Sequence, residues 1–304
     1  MSILFNIFVN NLLPIFIVIG AGALLGVTLS PNVKAISRTT FYTLTPCLIF
    51  SGLVGTPLAG TEAQQVAAFA AMATLATAAV GWVVASMLGW RDKRRRALLL
   101  PVLVVNTGNF GLSVVLFAFG PDAQARAMIY FVTTAVMASS IGVAVAAGGG
   151  TWRKVLSNLV RIPLLYAAIA ALIVSAFEQI RVPALLMRPI QLMGNAATPM
   201  MLLILGLQLV RSASSLKSRI GSIALASALR LVIAPVVAIP IAWVTGVSGQ
   251  TFQTCMLEAS MPSGVTSTVL SLEYDLEPEV VTGTVFFSTL CSAVTLAIVI
   301  SVIR

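Results

Sequence analysis

The chain has 304 residues, 59% of them hydrophobic and 9% charged, with a mean hydropathy of +1.03, whereas soluble domains carry about 25% charged residues. That argues against a soluble globular protein and for an all-α integral membrane protein. The formal net charge is +9 and histidine is absent, which removes the commonest metal ligand and the usual proton shuttle.

The first apolar run begins directly after six residues that include no basic side chain, and it is too long for a signal-peptide core, so a retained first span is expected. A span needs about 20 apolar residues. On that basis the sequence predicts ten, at 5–28, 35–55, 64–89, 97–119, 126–147, 160–178, 187–210, 220–245, 251–272 and 280–303, joined by short links with no soluble domain between them. Cys47, Cys255 and Cys291 all fall in these apolar segments, an odd set that argues against a disulfide framework.

In chain order, span one contains 11-NLLPIFIV-18 and span two 44-LTPCLIFSGL-53. Span four contains 104-VVNTGNFGLS-113, where Asn106, Thr107, Gly108 and Asn109 interrupt one of the greasiest stretches of the chain. An unpaired amide in hydrocarbon costs several kcal/mol. Broken backbone survives at membrane depth only inside protein or beside a water-filled cavity. Span five brings Thr133, Thr134, Ser139 and Ser140 toward mid-membrane. Span six then repeats span one as 160-VRIPLLYA-167, and span seven repeats span two as 197-ATPMMLLILGL-207. Carrying that offset forward from span four leads to 260-SMPSGVTS-267 in span nine, where Pro262, Ser263 and Gly264 form a second interruption.

These echoes divide the chain into a first five-helix repeat, 1–150, and a second, 151–304. Because five is odd, the second copy enters the membrane inverted. Inverted repeats with interrupted helices at matching positions are the mark of a secondary transporter whose site lies at the crossing of the breaks. Either break alone reads equally well as a helix-packing notch, and the paired prolines 14, 163, 46 and 199 read as structural kinks. Thr45 and Thr198, beside two of those prolines, have only a helix back-bond to make.

Loops one, three, five and seven hold thirteen of the 18 basic residues, with 91-RDKRRR-96 the densest run. These loops are expected to be cytoplasmic, with both termini outside a plasma (inner) membrane. The acidic link 273-EYDLEPE-279 runs against this pattern, but carboxylates carry little topogenic weight. The basic loops are short and lack interleaved aromatics, so no nucleic-acid partner is expected. The lipid bilayer and a small substrate are the expected partners, and a homodimer is left open.

Two ionisable residues lie deep within spans, Arg230 and Glu258. At a rise of about 1.5 Å per residue, Arg230 is roughly 15 Å from one face and Glu258 roughly 10 Å from the other, in a core about 30 Å thick. Three roles follow: a structural ion pair, a coupling Na⁺ or proton on Glu258, and neutralisation of an anionic substrate by Arg230. Hydroxyl, amide and carbonyl oxygens nearby are of the kind that hard cations prefer.

With these residues in place, the sequence resembles the auxin efflux carrier family of bacterial and plant permeases, which includes malonate and malate carriers. The resemblance spans the whole chain and rests on NTGN in span four and PSG in span nine. More distantly it is similar to the bacterial bile acid–sodium symporters, in which a glutamate in an E-x-x-M-Q pattern binds sodium. Here 258-EASMP-262 keeps Glu258 and Met261 but has Pro262 in place of the glutamine. The resemblance implies a scaffold of spans one, two, six and seven and a mobile transport unit of spans three to five and eight to ten. It also implies that Asn106, Asn109 and Ser263 line the substrate site.

The expectation is a secondary active transporter of small carboxylates, malonate-like first, working by elevator-type alternating access. Asn106, Thr107, Gly108, Asn109, Arg230, Pro262, Ser263 and Gly264 would form the substrate site. Glu258, Met261, Asn109, Thr133 and Thr134 would hold a coupling Na⁺ if one is used, and no other cofactor is expected. The competing reading is a sensor that binds an anionic ligand without moving it. An intramembrane enzyme is disfavoured because no carboxylate dyad or serine–lysine pair lies within a span.

Overall fold

The computed structural model describes residues 3–54, 56, 60–149, 157, 159–177, 182–212 and 219–304. Every predicted span window is occupied by a helix or by two consecutive helices. These are α1 (Leu4–Thr28), α2 (33–54), α3 (Gly60–Met87), α4 (Asp92–Leu103), α5 (Thr107–Phe119), α6 (Pro121–Ala147), α7 (Pro163–Ala176), α8 (Ala184–Ser212), α9 (Ile220–Thr245), α10 (Gly249–Ala259), α11 (Thr266–Glu273) and α12 (Pro278–Ile303). Six of them, α1, α3, α6, α8, α9 and α12, are long and apolar enough to cross a membrane. Among the described residues there is no strand, only one isolated antiparallel bridge between Val105 and Ser263. The boundary expected at 150/151 lies outside the described residues, as do Arg153, Lys154, Arg181 and Lys217 of the basic-residue pattern.

Three helices widen into a π turn just before a proline: Phe8–Leu12 before Pro14, Thr40–Leu44 before Pro46, and Leu229–Ile233 before Pro235. Proline has no N–H to donate, and its ring crowds the carbonyl four residues earlier. A one-residue widening relieves both problems, and such bulges collect at functional positions.

Packing sorts the helices into two groups. α8 lies against α1 and α2, and α7 against α2; α3 packs on α4, α6 and α9, while α12 packs on α9 and α11. In the first group the backbones touch. A Cβ on Gly206 would strike the carbonyl of Ile19, and one on Gly22 the backbone of Leu203. Small residues at a crossing let membrane helices approach this closely, and dispersion then supplies the attraction that apolar burial cannot give in lipid.

The acidic link 273–279 sits at the same end of the molecule as the basic α3–α4 turn. Lys93 pairs with Asp275 at 2.7 Å and Arg219 with Glu277 at 2.5 Å. The link's carboxylates therefore answer basic residues from two other turns, which explains an acidic segment on the basic side. The hydrogen bond and the charge of Lys93 hold the exposed Asp275 carboxyl below the usual carboxylate range.

Candidate functional site

α4 ends where Val104 turns extended, and α5 starts three residues later. α10 ends at Ala259, before Pro262, which cannot continue a helix. The two breaks meet. The Asn106 amide donates to the Pro262 carbonyl at 2.9 Å, and the Gly264 amide donates to the Val104 carbonyl at 2.7 Å. The amide of Ser263 donates to Ser288 Oγ on α12 at 3.2 Å. Each break thus satisfies backbone groups that the other leaves open, which is what membrane-depth backbone requires. Glycine at 264 is dictated by this contact, since a Cβ there would lie 2.8 Å from the Val105 carbonyl oxygen.

Arg230, in the π turn of α9 and only 2% exposed, is directed at backbone. Its Nε donates to the Met261 carbonyl at 2.7 Å, one Nη donates to the Ala259 carbonyl, and the other reaches the Val102 carbonyl at 3.5 Å. These carbonyls belong to the ends of α10 and α4. A cation at a helix C-terminus meets both the unsatisfied carbonyls and the negative end of the dipole. The sequence reading had offered Arg230 to a substrate anion or to Glu258. In the structure each of its three nitrogens donates to a carbonyl of the two breaks, and among the described residues no ion pair joins it to Glu258.

Glu258 is 0% exposed, and neither carboxylate oxygen has a hydrogen-bond partner among the described residues. The carboxylate lies against the first turn of α5, where a Cβ on Gly111 would collide with it. Thr254, one helical turn before it, also has a buried hydroxyl with no hydrogen-bond partner among the described residues, as do Ser113 and Ser263.

Three other expected ion ligands make hydrogen bonds within the protein. The Met261 carbonyl accepts from Arg230. Thr133 donates to the Ile129 carbonyl at 2.9 Å, and Thr134 shares a 2.8 Å hydrogen bond with Thr107. Thr45 and Ser140 likewise bond to their own helices, through the Thr40 and Val136 carbonyls.

Of the expected substrate residues, Asn109 lines an open space. This is a cleft of about 240 Å³ with Thr40 and Thr45 of α2, Phe131 of α6, Met201 of α8 and Thr266 of α11 among its walls. Asn106, Thr107, Gly108, Pro262, Ser263 and Gly264 are buried behind it and build the crossing. A Cβ on Gly108 would strike the Phe131 ring, so that wall is closely fitted. The α2 edge, Gly111 and Ser288 were missed from sequence. The run 37-SRTT-40 was the available signal, but it was counted only as topogenic charge.

The family described as membrane transport protein matches residues 151–300. An uncharacterized transporter of Methanothermobacter thermautotrophicus is 28% identical over 275 residues, 90% of this chain and 89% of the relative. An uncharacterized transporter of Methanocaldococcus jannaschii is 26% identical over 212 residues, 68% of each chain. Auxin efflux carrier component 1 of Arabidopsis thaliana is 26% identical over 142 residues, 46% of this chain and 22% of that protein.

Proposed function

We propose that this chain, whose residues 151–300 match the family described as membrane transport protein and which is similar to uncharacterized transporters, is a membrane transporter and not an enzyme, and that it is a secondary active transporter of small organic anions. The substrate class is carboxylates, malonate-like first. The observation that carries the reading is the mutual backbone pairing of two broken helices, with Asn109 beside it facing a cleft.

In this reading the anion meets the Asn109 amide and the first turn of α5, where the positive end of the helix dipole favours negative charge. Arg230 holds the crossing together from behind. Glu258 takes the coupling cation, Na⁺ or a proton, because a buried carboxylate without a partner is costly until a cation neutralises it. Its oxygens, with nearby hydroxyls such as Thr254, are hard-donor chemistry suited to Na⁺.

Ten spans arranged as two inverted five-helix repeats, with both termini outside a plasma membrane, complete the proposal. α1, α2, α7 and α8 would be the scaffold and the remaining helices the unit that slides against it. The packing groups and the glycine-tight α1–α8 crossing support that division.

A thermal-shift screen of purified protein against short mono- and dicarboxylates, with and without Na⁺, tests the reading. A ligand that binds only the folded state raises the midpoint with concentration. Stabilisation by a carboxylate, enhanced by Na⁺ or by low pH, is expected. The absence of any carboxylate response under every cation condition would contradict it.

A further inference from the structure

The cleft has a second wall that the proposed mechanism does not use. The edge of α2 carrying Ser37, Arg38 and Thr40 lines the same cleft as Asn109. Thr40 is 3% exposed, yet among the described residues its hydroxyl has no hydrogen-bond partner, and the buried hydroxyl of Ser37 has none either. Arg38 is exposed and takes part in no ion pair among the described residues. Two orphaned hydroxyls and an uncommitted guanidinium on one helix edge form a donor set with nothing yet to donate to, and leaving such donors unmatched is costly. Ser37 and Arg38 also line an adjoining cleft of about 710 Å³, together with Lys34 and Glu279. The donor edge therefore lies on the way into the smaller space.

We propose that Ser37, Arg38 and Thr40 form a second anion subsite, which takes the far carboxylate of a dicarboxylate whose near carboxylate lies at Asn109. This rests on the carboxylate-transport reading above and gives the second carboxylate of its malonate-like substrate a binding place. Arg38 offers a planar fork matched to a carboxylate, and the two hydroxyls offer single donors beside it. A monocarboxylate fills only the Asn109 end and leaves these donors unpaired. A site built to hydrogen-bond a group discriminates against ligands that lack it.

The placement carries a second consequence. α2 packs with α7 and α8, whereas Asn109 sits on α5, whose first turn packs on both α8 and α6. If the α5 group moves and α2 does not, the far-carboxylate contact exists only while the cleft is open at the end carrying Lys34 and Arg38. Arg38 then tightens substrate on one face of the membrane and not on the other.

The test is uptake of radiolabelled malonate and acetate into proteoliposomes by wild type, Arg38→Ala, Arg38→Lys and Thr40→Val, with the thermal midpoint of each variant as the folding control. Removing one charge-assisted contact should lower the malonate-to-acetate ratio of kcat/KM about tenfold or more. Arg38→Lys should lose less, and Thr40→Val a smaller factor than Arg38→Ala. The malonate KM should rise only for transport from the face bearing Arg38, read in oriented vesicles. A ratio unchanged in Arg38→Ala, with wild-type uptake intact, would overturn the subsite while leaving the carboxylate reading standing. Absence of uptake of either acid by the wild type would overturn both.

Discussion

The guanidinium of Arg230 donates from Nε to the carbonyl oxygen of Met261 at 2.7 Å, and its other nitrogens reach Ala259 and Val102. One side chain on α9 thus holds the last carbonyls of two different broken helices. This gives a buried arginine a reason to exist that is independent of any substrate.

Arg230→Ala should therefore act on the fold first. Each buried carbonyl that loses its donor costs about 1–3 kcal/mol, so the combined loss should be about 3 kcal/mol or more. The thermal midpoint in detergent should drop by several degrees, with transport lost alongside it. Arg230→Lys should recover part of the midpoint, because one ammonium cannot reach all three acceptors with a planar fork. A variant with unchanged midpoint and selectively weakened carboxylate binding would return Arg230 to the substrate site.

Glu258 should behave in the opposite way. Its carboxylate is buried with no hydrogen-bond partner among the described residues, so the neutral isostere removes a desolvation cost. We expect Glu258→Gln to fold with a midpoint equal to or above wild type, while its dependence on Na⁺ or pH flattens. Uptake measured across cation gradients checks this. Coupling that survives unchanged would remove the ion from Glu258.

Gly264 and Gly111 make steric predictions. Gly264→Ala places a methyl against the Val105 backbone, and Gly111→Ala places one on the Glu258 carboxylate. Overpacking of this kind costs about 1–3 kcal/mol. Gly264→Ala should be the more harmful to folded yield, because backbone cannot swing aside. Gly111→Ala should mainly disturb ion dependence, which separate stability and uptake assays will resolve.

The ion pairs at one end of the molecule predict accessibility. Single cysteines replacing Arg94 and Asp275, in a background without the three native cysteines, should label from the same side of the membrane. One replacing Ser248, in the α9–α10 turn, should label from the other. If 94 and 275 label from opposite sides, the acidic link does not sit with the basic turn.

Much of this was legible in the sequence because membrane helices leave polar residues few reasons to exist. Asn106, Gly108 and Asn109 in span four, and Pro262 to Gly264 in span nine, stand out against apolar flanks, and the structure joins those two segments. The partners of Arg230 were not legible, since backbone carbonyls have no residue identity to read. Depth counting put Arg230 near Glu258 but could not show that its donors were spent on helix ends. The link 273–279 looked discordant because sequence spacing hides Lys93 and Arg219 beside it. Back-bonding of Thr133 to the Ile129 carbonyl was likewise not legible, because hydroxyls in helices bond to carbonyls of their own helix.

The most direct test of a carrier site at the crossing is initial-rate uptake of radiolabelled malonate into proteoliposomes by wild type and Asn109→Ala at equal reconstituted protein. Asn109 lines the cleft, and its side chain takes part in none of the backbone bonds that hold the breaks together. The variant should therefore keep the wild-type thermal midpoint and lose about tenfold or more of its uptake rate. Wild-type uptake by a stably folded Asn109→Ala would contradict a substrate site at the crossing and leave the paired breaks as a packing feature.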